Sequence, residues 1–204
     1  MRKIITYGGY FEAFMESLSE KEQRKVDYVV SLLATQNRLP TKFMKHIGND
    51  LYELRVMWEN NIYRVFFIFD EGNIVVLFSG FQKKTQKTPQ SEIDKANKIK
   101  EAYYADKRSQ IRDYSAELDR KYGAVGTKER EQFEEEAWNF YSGQILQEAR
   151  REAKVTQAEL AERTQTTKSY ISKVENGVIT PSVGMFYRIV AALGMRVEVV
   201  KPIY

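Results

Sequence analysis

Three runs of strand-forming residues stand between Leu51 and Pro89, and their spacing leaves little choice of fold. Leu51–Met57 alternates apolar and polar residues. Ile62–Phe69 and Ile74–Phe81 are β-branched or aromatic almost throughout. The breaks, Glu59-Asn60-Asn61 and Asp70-Glu71-Gly72-Asn73, are turn chemistry. Loops this short join antiparallel neighbours, so the stretch predicts a three-stranded meander. Its apolar runs are too dense for a sheet wet on both faces, so one face must be covered. The preceding residues supply the cover. Arg2–Tyr7 reads as a first strand, broken by Gly8-Gly9. Phe11, Phe14, Met15 and Leu18 follow helical spacing. Ser19 with Glu22 forms a capping-box pattern opening a second helix, whose apolar side is Val26, Val29, Val30 and Leu33. Arg38-Leu39-Pro40 ends this hairpin, and Pro89–Arg108 reads as a further helix with a solvated charged face.

The polar exceptions inside the meander carry the chemistry. Glu53 and Arg55 are two apart and share a face of their strand, and Arg64 lies in the next strand. Lys83, Lys84 and Lys87 follow the third strand directly. Guanidinium forks and ammonium point charges at one end of a short sheet are what phosphate recognition needs. On the plainer alternative, Arg55 pairs Glu53 and the lysines are solvated. Five cations gathered at one sheet end favour the polyanion reading. Lys42, Lys45 and His46, just before the meander, add to the positive edge. His46 could act as a general acid or base, but is read as a surface or packing histidine.

Charge is distributed in blocks. The net charge is +4 over 204 residues. Residues 1–109 are basic, 110–148 acidic and 149–204 basic again. Two basic blocks around an acidic one suggest two units that face nucleic acid. With no cysteine and one histidine, no disulfide, metal or cofactor is expected. No apolar run reaches the roughly 20 residues a membrane helix needs, and the N-terminus does not read as a signal peptide. A cytoplasmic protein without membrane attachment is expected. No methionine lies between Met57 and Met185, so an ordinary internal start codon cannot begin the second half.

The organisation read from the sequence is 1–109, 110–143 and 144–204. Asp113–Lys121 predicts a short helix. Thr127 opens a long acidic one containing Glu131, Glu134, Glu135 and Glu136, with a stripe of Phe133, Ala137, Phe140 and Tyr141. That stripe is either core or a surface that lies on the basic face of the first domain. From Thr156, a cap and helix Gln157–Arg163, a turn at Thr164–Thr166, a helix Thr167–Asn176 stopped by Gly177, and a helix begun at Pro181-Ser182 have helix-turn-helix spacing. Ile171 and Val174 face inward, as do Phe186, Ile189, Val190 and Leu193. Met195–Val200 alternates and predicts a short strand.

LYELRV, YRVFF and, above all, GFQKKTQKTP resemble the HigB branch of the RelE-like toxins, small ribosome-dependent mRNA endonucleases. TQAELAERT with SYISKVENG resembles XRE/Cro-like repressors, here of the HigA antitoxin type. The implied fold is an α+β RelE-like domain followed by an all-α helix-turn-helix domain, a toxin–antitoxin pair in one polypeptide. The resemblance implies catalytic roles for Arg55, Arg64 and Lys84. It implies RNA contacts for Lys42, Lys45, Phe81, Lys83 and Lys87, although a Phe at the end of a strand, such as Phe81, is more often core. In the second half it implies base contacts for Lys168, Ser169 and Lys173, and DNA contacts at the helix starts for Gln157 and Thr167. Tyr170 is either a phosphate donor or a packed ring. Implied partners are mRNA on the ribosome, operator DNA and a second copy of the chain. The alternative is a DNA-binding repressor whose toxin-like half is an inactive interaction module.

Overall fold

A computed structural model describes residues 1–36, 39–59, 61–84, 87–107 and 109–198. The chain divides into two compact units, Met1–Ala137 and the residues from Trp138 on.

The N-terminal unit begins with β1 (Lys3–Tyr7), α1 (Tyr10–Glu16) and α2 (Glu20–Thr35). The expected capping box is present: the Ser19 amide donates to Glu22 at 2.9 Å. Then come β2 (Met44–Gly48), β3 (Leu51–Trp58), β4 (Asn61–Asp70) and β5 (Ile74–Gln82). The predicted meander is β3–β4–β5, antiparallel throughout. The part of its first turn at Asn60 lies outside the described residues, as does Arg38. β2, unassigned in the sequence reading, joins the meander as an antiparallel edge, and β1 pairs β5 in parallel. The sheet is therefore mixed, in the order β2-β3-β4-β5-β1-β6, where β6 is Ile111–Asp113.

The two faces are covered unequally. α1 and α2 pack on the face carrying Leu54, Val56, Tyr63, Val65 and Phe67, all essentially buried. α1 comes close because Gly80 has no side chain: a Cβ there would run into the Phe14 ring. On the other face, α3 (Gln90–Ala105) sets Ala96, Ile99 and Tyr103 against Leu51, Phe66, Ile68, Val76 and Phe78. Tyr103 also donates to the Asp70 carboxylate at 2.7 Å. Glu53, Arg55 and Arg64 lie on this second face but outside that apolar cluster.

Residues 111–137 pack with the N-terminal unit. β6 pairs antiparallel with β1, and α4 (Tyr114–Tyr122) follows with Asp113 as its N-cap. α5 (Lys128–Glu152) gives its turns up to Ala137 to this unit. The expectation that this acidic helix lies on the basic face is not met by these turns. They pack on α2, in the layer on the other side of the sheet, where Phe133 finds an aromatic pocket and Glu136 finds Arg24. The apolar stripe is core, and it is shared: Phe133 and Ala137 are buried in the first unit, Phe140 in the second.

The C-terminal unit holds the rest of α5 with α6 (Gln157–Arg163), α7 (Lys168–Glu175) and α8 (Val183–Ala192). Thr156, Thr167 and Ser182 cap the last three, each hydroxyl accepting from an amide one turn on. Gly177 ends α7 at φ 66, and a Cβ there would collide with the α5 backbone at Phe140. Leu146, Leu160, Ala161, Ile171, Val174, Ile189, Val190 and Leu193 form the core, with Phe186 at its margin. Residues 195–198 form no strand. Among the described residues no strand lies beside this exposed stretch to complete its hydrogen bonds. The rest of that expected strand lies outside the described residues.

Candidate nucleic-acid interfaces

Register brings the predicted cations of the first unit together. Lys45 faces Glu53 across the β2–β3 pair, and Arg55 faces Arg64, which faces Phe81. Residues opposite one another in an antiparallel pair share a face. Lys45, Glu53, Arg55, Arg64 and Phe81 therefore share the second face: Glu53 and Arg64 are buried there, Arg64 at 7% exposure, Arg55 and Phe81 are half-buried, and Lys45 is exposed. Glu53 is the hub, 1% exposed. Its Oε1 accepts from Arg55 Nε at 2.9 Å and lies 3.2 Å from Arg64 Nε, and its Oε2 accepts from the Thr88 hydroxyl. Arg55 also donates to the Thr41 carbonyl at 3.2 Å, in the turn that carries Lys42. The Thr88 bond ties the end of the lysine-bearing segment to the sheet.

The electrostatics follow from this crowding. Burial lowers the Arg64 guanidinium below its ordinary value, opposed by Glu53. Lys83, its amide bonded to the Ile62 carbonyl at 2.7 Å, is lowered by burial and then by the Arg64, Arg55 and Lys45 charges. One buried carboxylate faces two guanidinium groups and two ammonium groups, so the patch keeps an excess of positive charge. Lys84 and Lys87 are exposed on either side of Thr85-Gln86, which lie outside the described residues. One face of the Phe81 ring is occupied by Phe66, 5.9 Å away and nearly parallel. His46 points to the opposite sheet face, its ring 5.0 Å from Tyr52.

In the second unit the N-terminal turns of α7 carry the exposed residues Lys168 and Ser169, with Lys173 exposed one turn on. Tyr170 is half-buried against the core. The Thr167 hydroxyl is engaged as the helix cap. Gln157 is engaged too: its amide donates to Glu175 Oε2 at 2.8 Å. Glu175 is the buried partner of Arg150, whose Nη2 lies 2.9 Å away and whose Nη1 donates to the Val155 carbonyl. Nothing in the spacing of the sequence predicts this ion pair. It holds α5, α6 and α7 together and presents the outer side of α7. Glu175 at the end of an apolar helix face was its only signal.

A small α+β domain with a half-open cationic sheet face, joined to a helix-turn-helix domain, is the class these features define. Residues 13–101 match the family model of phage derived Gp49-like proteins, and residues 146–200 match the helix-turn-helix model. The chain thus carries a domain similar to Gp49-like proteins followed by one similar to helix-turn-helix domains, an order that matches a fused toxin–antitoxin arrangement of the HigB–HigA kind. No curated protein matches the sequence. Among the described residues no helix is long and apolar enough to cross a membrane.

Proposed function

We propose that the chain is a toxin–antitoxin protein whose N-terminal unit cleaves mRNA on the ribosome and whose C-terminal unit binds operator DNA as a homodimer and represses transcription. The observation that carries the first part is the excess of cations over Glu53, with Arg55 half-buried and Lys45 and Lys84 exposed beside it. Cleavage would proceed by attack of a ribose 2′-oxygen, its proton passing to solvent, on the adjacent phosphorus, closing a 2′,3′-cyclic phosphate as the bond to the 5′-oxygen breaks. Arg55 and Arg64 stabilise the charge that builds on the phosphorane, and Lys84 neutralises or protonates the leaving oxygen. Lys42, Lys45, Lys83 and Lys87 hold the RNA backbone. Phe81 offers its remaining ring face to a base. A small cationic site has few means of choosing codons unaided, so the ribosome presents the message.

In the second part, α7 enters the major groove, with Lys168, Ser169 and Lys173 at base edges. Thr167 and Gln157 support this indirectly, one capping the helix and the other bracing Glu175, and Tyr170 packs beside them. Residues 111–137 leave the cationic face of their own unit uncovered. Restraint of cleavage therefore falls to the C-terminal unit or to a second copy.

The pairing of Arg55 and Arg64 with one glutamate favours a rival reading, a repressor whose toxin-like unit is inactive. Induced expression of residues 1–137 separates the two. Growth arrest that is abolished by Lys84→Ala supports cleavage, and normal growth supports the rival.

A further inference from the structure

Residues 102–145 fall between the two family matches, and neither assigns them a role. Their first part is seated on a built surface. β6 adds to the β1 edge, pairing Ile111–Asp113 with Ile5–Tyr7. The Ser115 hydroxyl accepts from the Ile4 amide at 2.9 Å. Tyr114 stands edge-on to Phe11, with ring centres 5.0 Å apart. Tyr114 and Tyr122 donate to the fully buried Asp27 of α2 at 2.6 and 2.8 Å, and Lys121 lies 3.5 Å from it. Phe133, 1% exposed, stacks on Tyr122 at 3.9 Å and leans on Tyr28. Arg24 spans the Tyr28, Tyr122 and Phe133 rings and donates to Glu136 at 2.8 Å.

We infer that the α2–β1 face is a protein-docking surface in its own right, and that residues 111–137 are its partner segment, held by these contacts and not by the peptide connection. The charges are matched in both directions: an acid on α2 meets a cation and two hydroxyls of the segment, and a cation on α2 meets an acid of the segment. A merely apolar cover would not need that reciprocity, which selects one partner in one register. Strand addition combined with a helix face anchored by buried aromatics is a recurrent way of capturing a peptide. A break of the chain between Asp106 and Ile111 then leaves the two parts assembled. Release of the first 109 residues requires undocking, whatever their activity.

The test is a protease recognition sequence inserted between Ser109 and Gln110 of the full chain, cleaved and followed by gel filtration and native mass at about 1 µM. The pieces are expected to migrate as a 1:1 complex. Phe133→Ala with Glu136→Ala is expected to raise the dissociation constant at least ~30-fold, the size of losing a central anchor. If that variant unfolds before cleavage, Tyr114→Phe with Tyr122→Phe keeps both rings, strips Asp27 of its hydroxyl donors, and is expected to weaken retention about tenfold or more. Separation on cleavage, or precipitation of the N-terminal piece alone, overturns the inference. So does retention that the folded variant leaves unchanged, because the holding contacts would then lie beyond residue 137.

Discussion

Each unit buries a glutamate to 1% exposure and pairs it with arginine, and the two clusters differ in what is left over. Around Glu175 the fork of Arg150 is spent inside the protein, on both carboxylate oxygens and the Val155 carbonyl, and a neutral Gln157 completes the set. Charge balances there, and the cluster is a brace between helices. Around Glu53 two arginines compete for one oxygen, Lys45 and Lys83 stand within electrostatic reach, and the Arg55 side chain is 27% exposed. A buried ion pair alone thus says little about function. An excess of cation around a single carboxylate, with Arg55 reaching the surface, says more.

The largest expected effect tests whether the Glu175 cluster is a brace. Arg150→Ala strands a buried carboxylate and should cost the C-terminal unit about 3–5 kcal/mol, with operator binding lost alongside. Arg55→Ala leaves Glu53 its second arginine and the Thr88 hydroxyl, and should cost the N-terminal unit less, about 1–2 kcal/mol. Urea unfolding of the two full-length variants measures both. Equal losses would make the Glu53 cluster a brace as well.

The next effect concerns the cations that the second unit presents on α7. Lys168→Ala and Lys173→Ala should each weaken operator binding by ~1–3 kcal/mol, with little loss on random DNA. Equal losses on both DNAs would move these lysines from base edges to phosphates.

The smallest effect sharpens the contrast inside the first unit. Lys25 is a cation kept off the open face, its ammonium 4.6 Å from the Tyr28 ring and 4.5 Å from the Trp58 ring, and burial pushes its pKa down to about 8. Below pH 8 the folded and unfolded chains both carry the proton, and the fold bears the full desolvation cost. Between pH 8 and the unfolded value near ~10.4, only the unfolded chain holds the proton fully, so this residue's contribution to stability rises with pH. Lys25→Met should therefore raise the melting temperature at pH 7, with the gain shrinking by pH 10. A gain independent of pH would mean that packing, not charge, sets the difference.

Much of this was legible in the sequence. Long β-branched and aromatic runs announce β3, β4 and β5, and parity puts Glu53 and Arg55 on one face, while Arg64 joins them only through the β3–β4 register. The helix-turn-helix frame is equally plain, because its caps at Thr156, Thr167 and Ser182 sit at fixed offsets from apolar positions. β2 and β6 were not legible: each is short and polar, and exists only because a longer strand offers an edge. The docking of residues 111–137 was hidden for a different reason. Asp27 looks like a solvent position of an amphipathic helix until Tyr114 and Tyr122 come from far along the chain to bury it. Charge alone pointed the acidic helix at the basic sheet face. Phe133 sent its first turns to α2, since exposed ion pairs contribute little beside a buried aromatic ring.

Whether the open cationic face is a reaction centre is tested most directly by incubating residues 1–137 with translating ribosomes and mapping breaks in the message. Discrete cleavage within translated codons is expected of the unaltered unit, and none of Arg55→Ala at equal stability. An intact message with the unaltered unit, or the same breaks with Arg55→Ala, would contradict it.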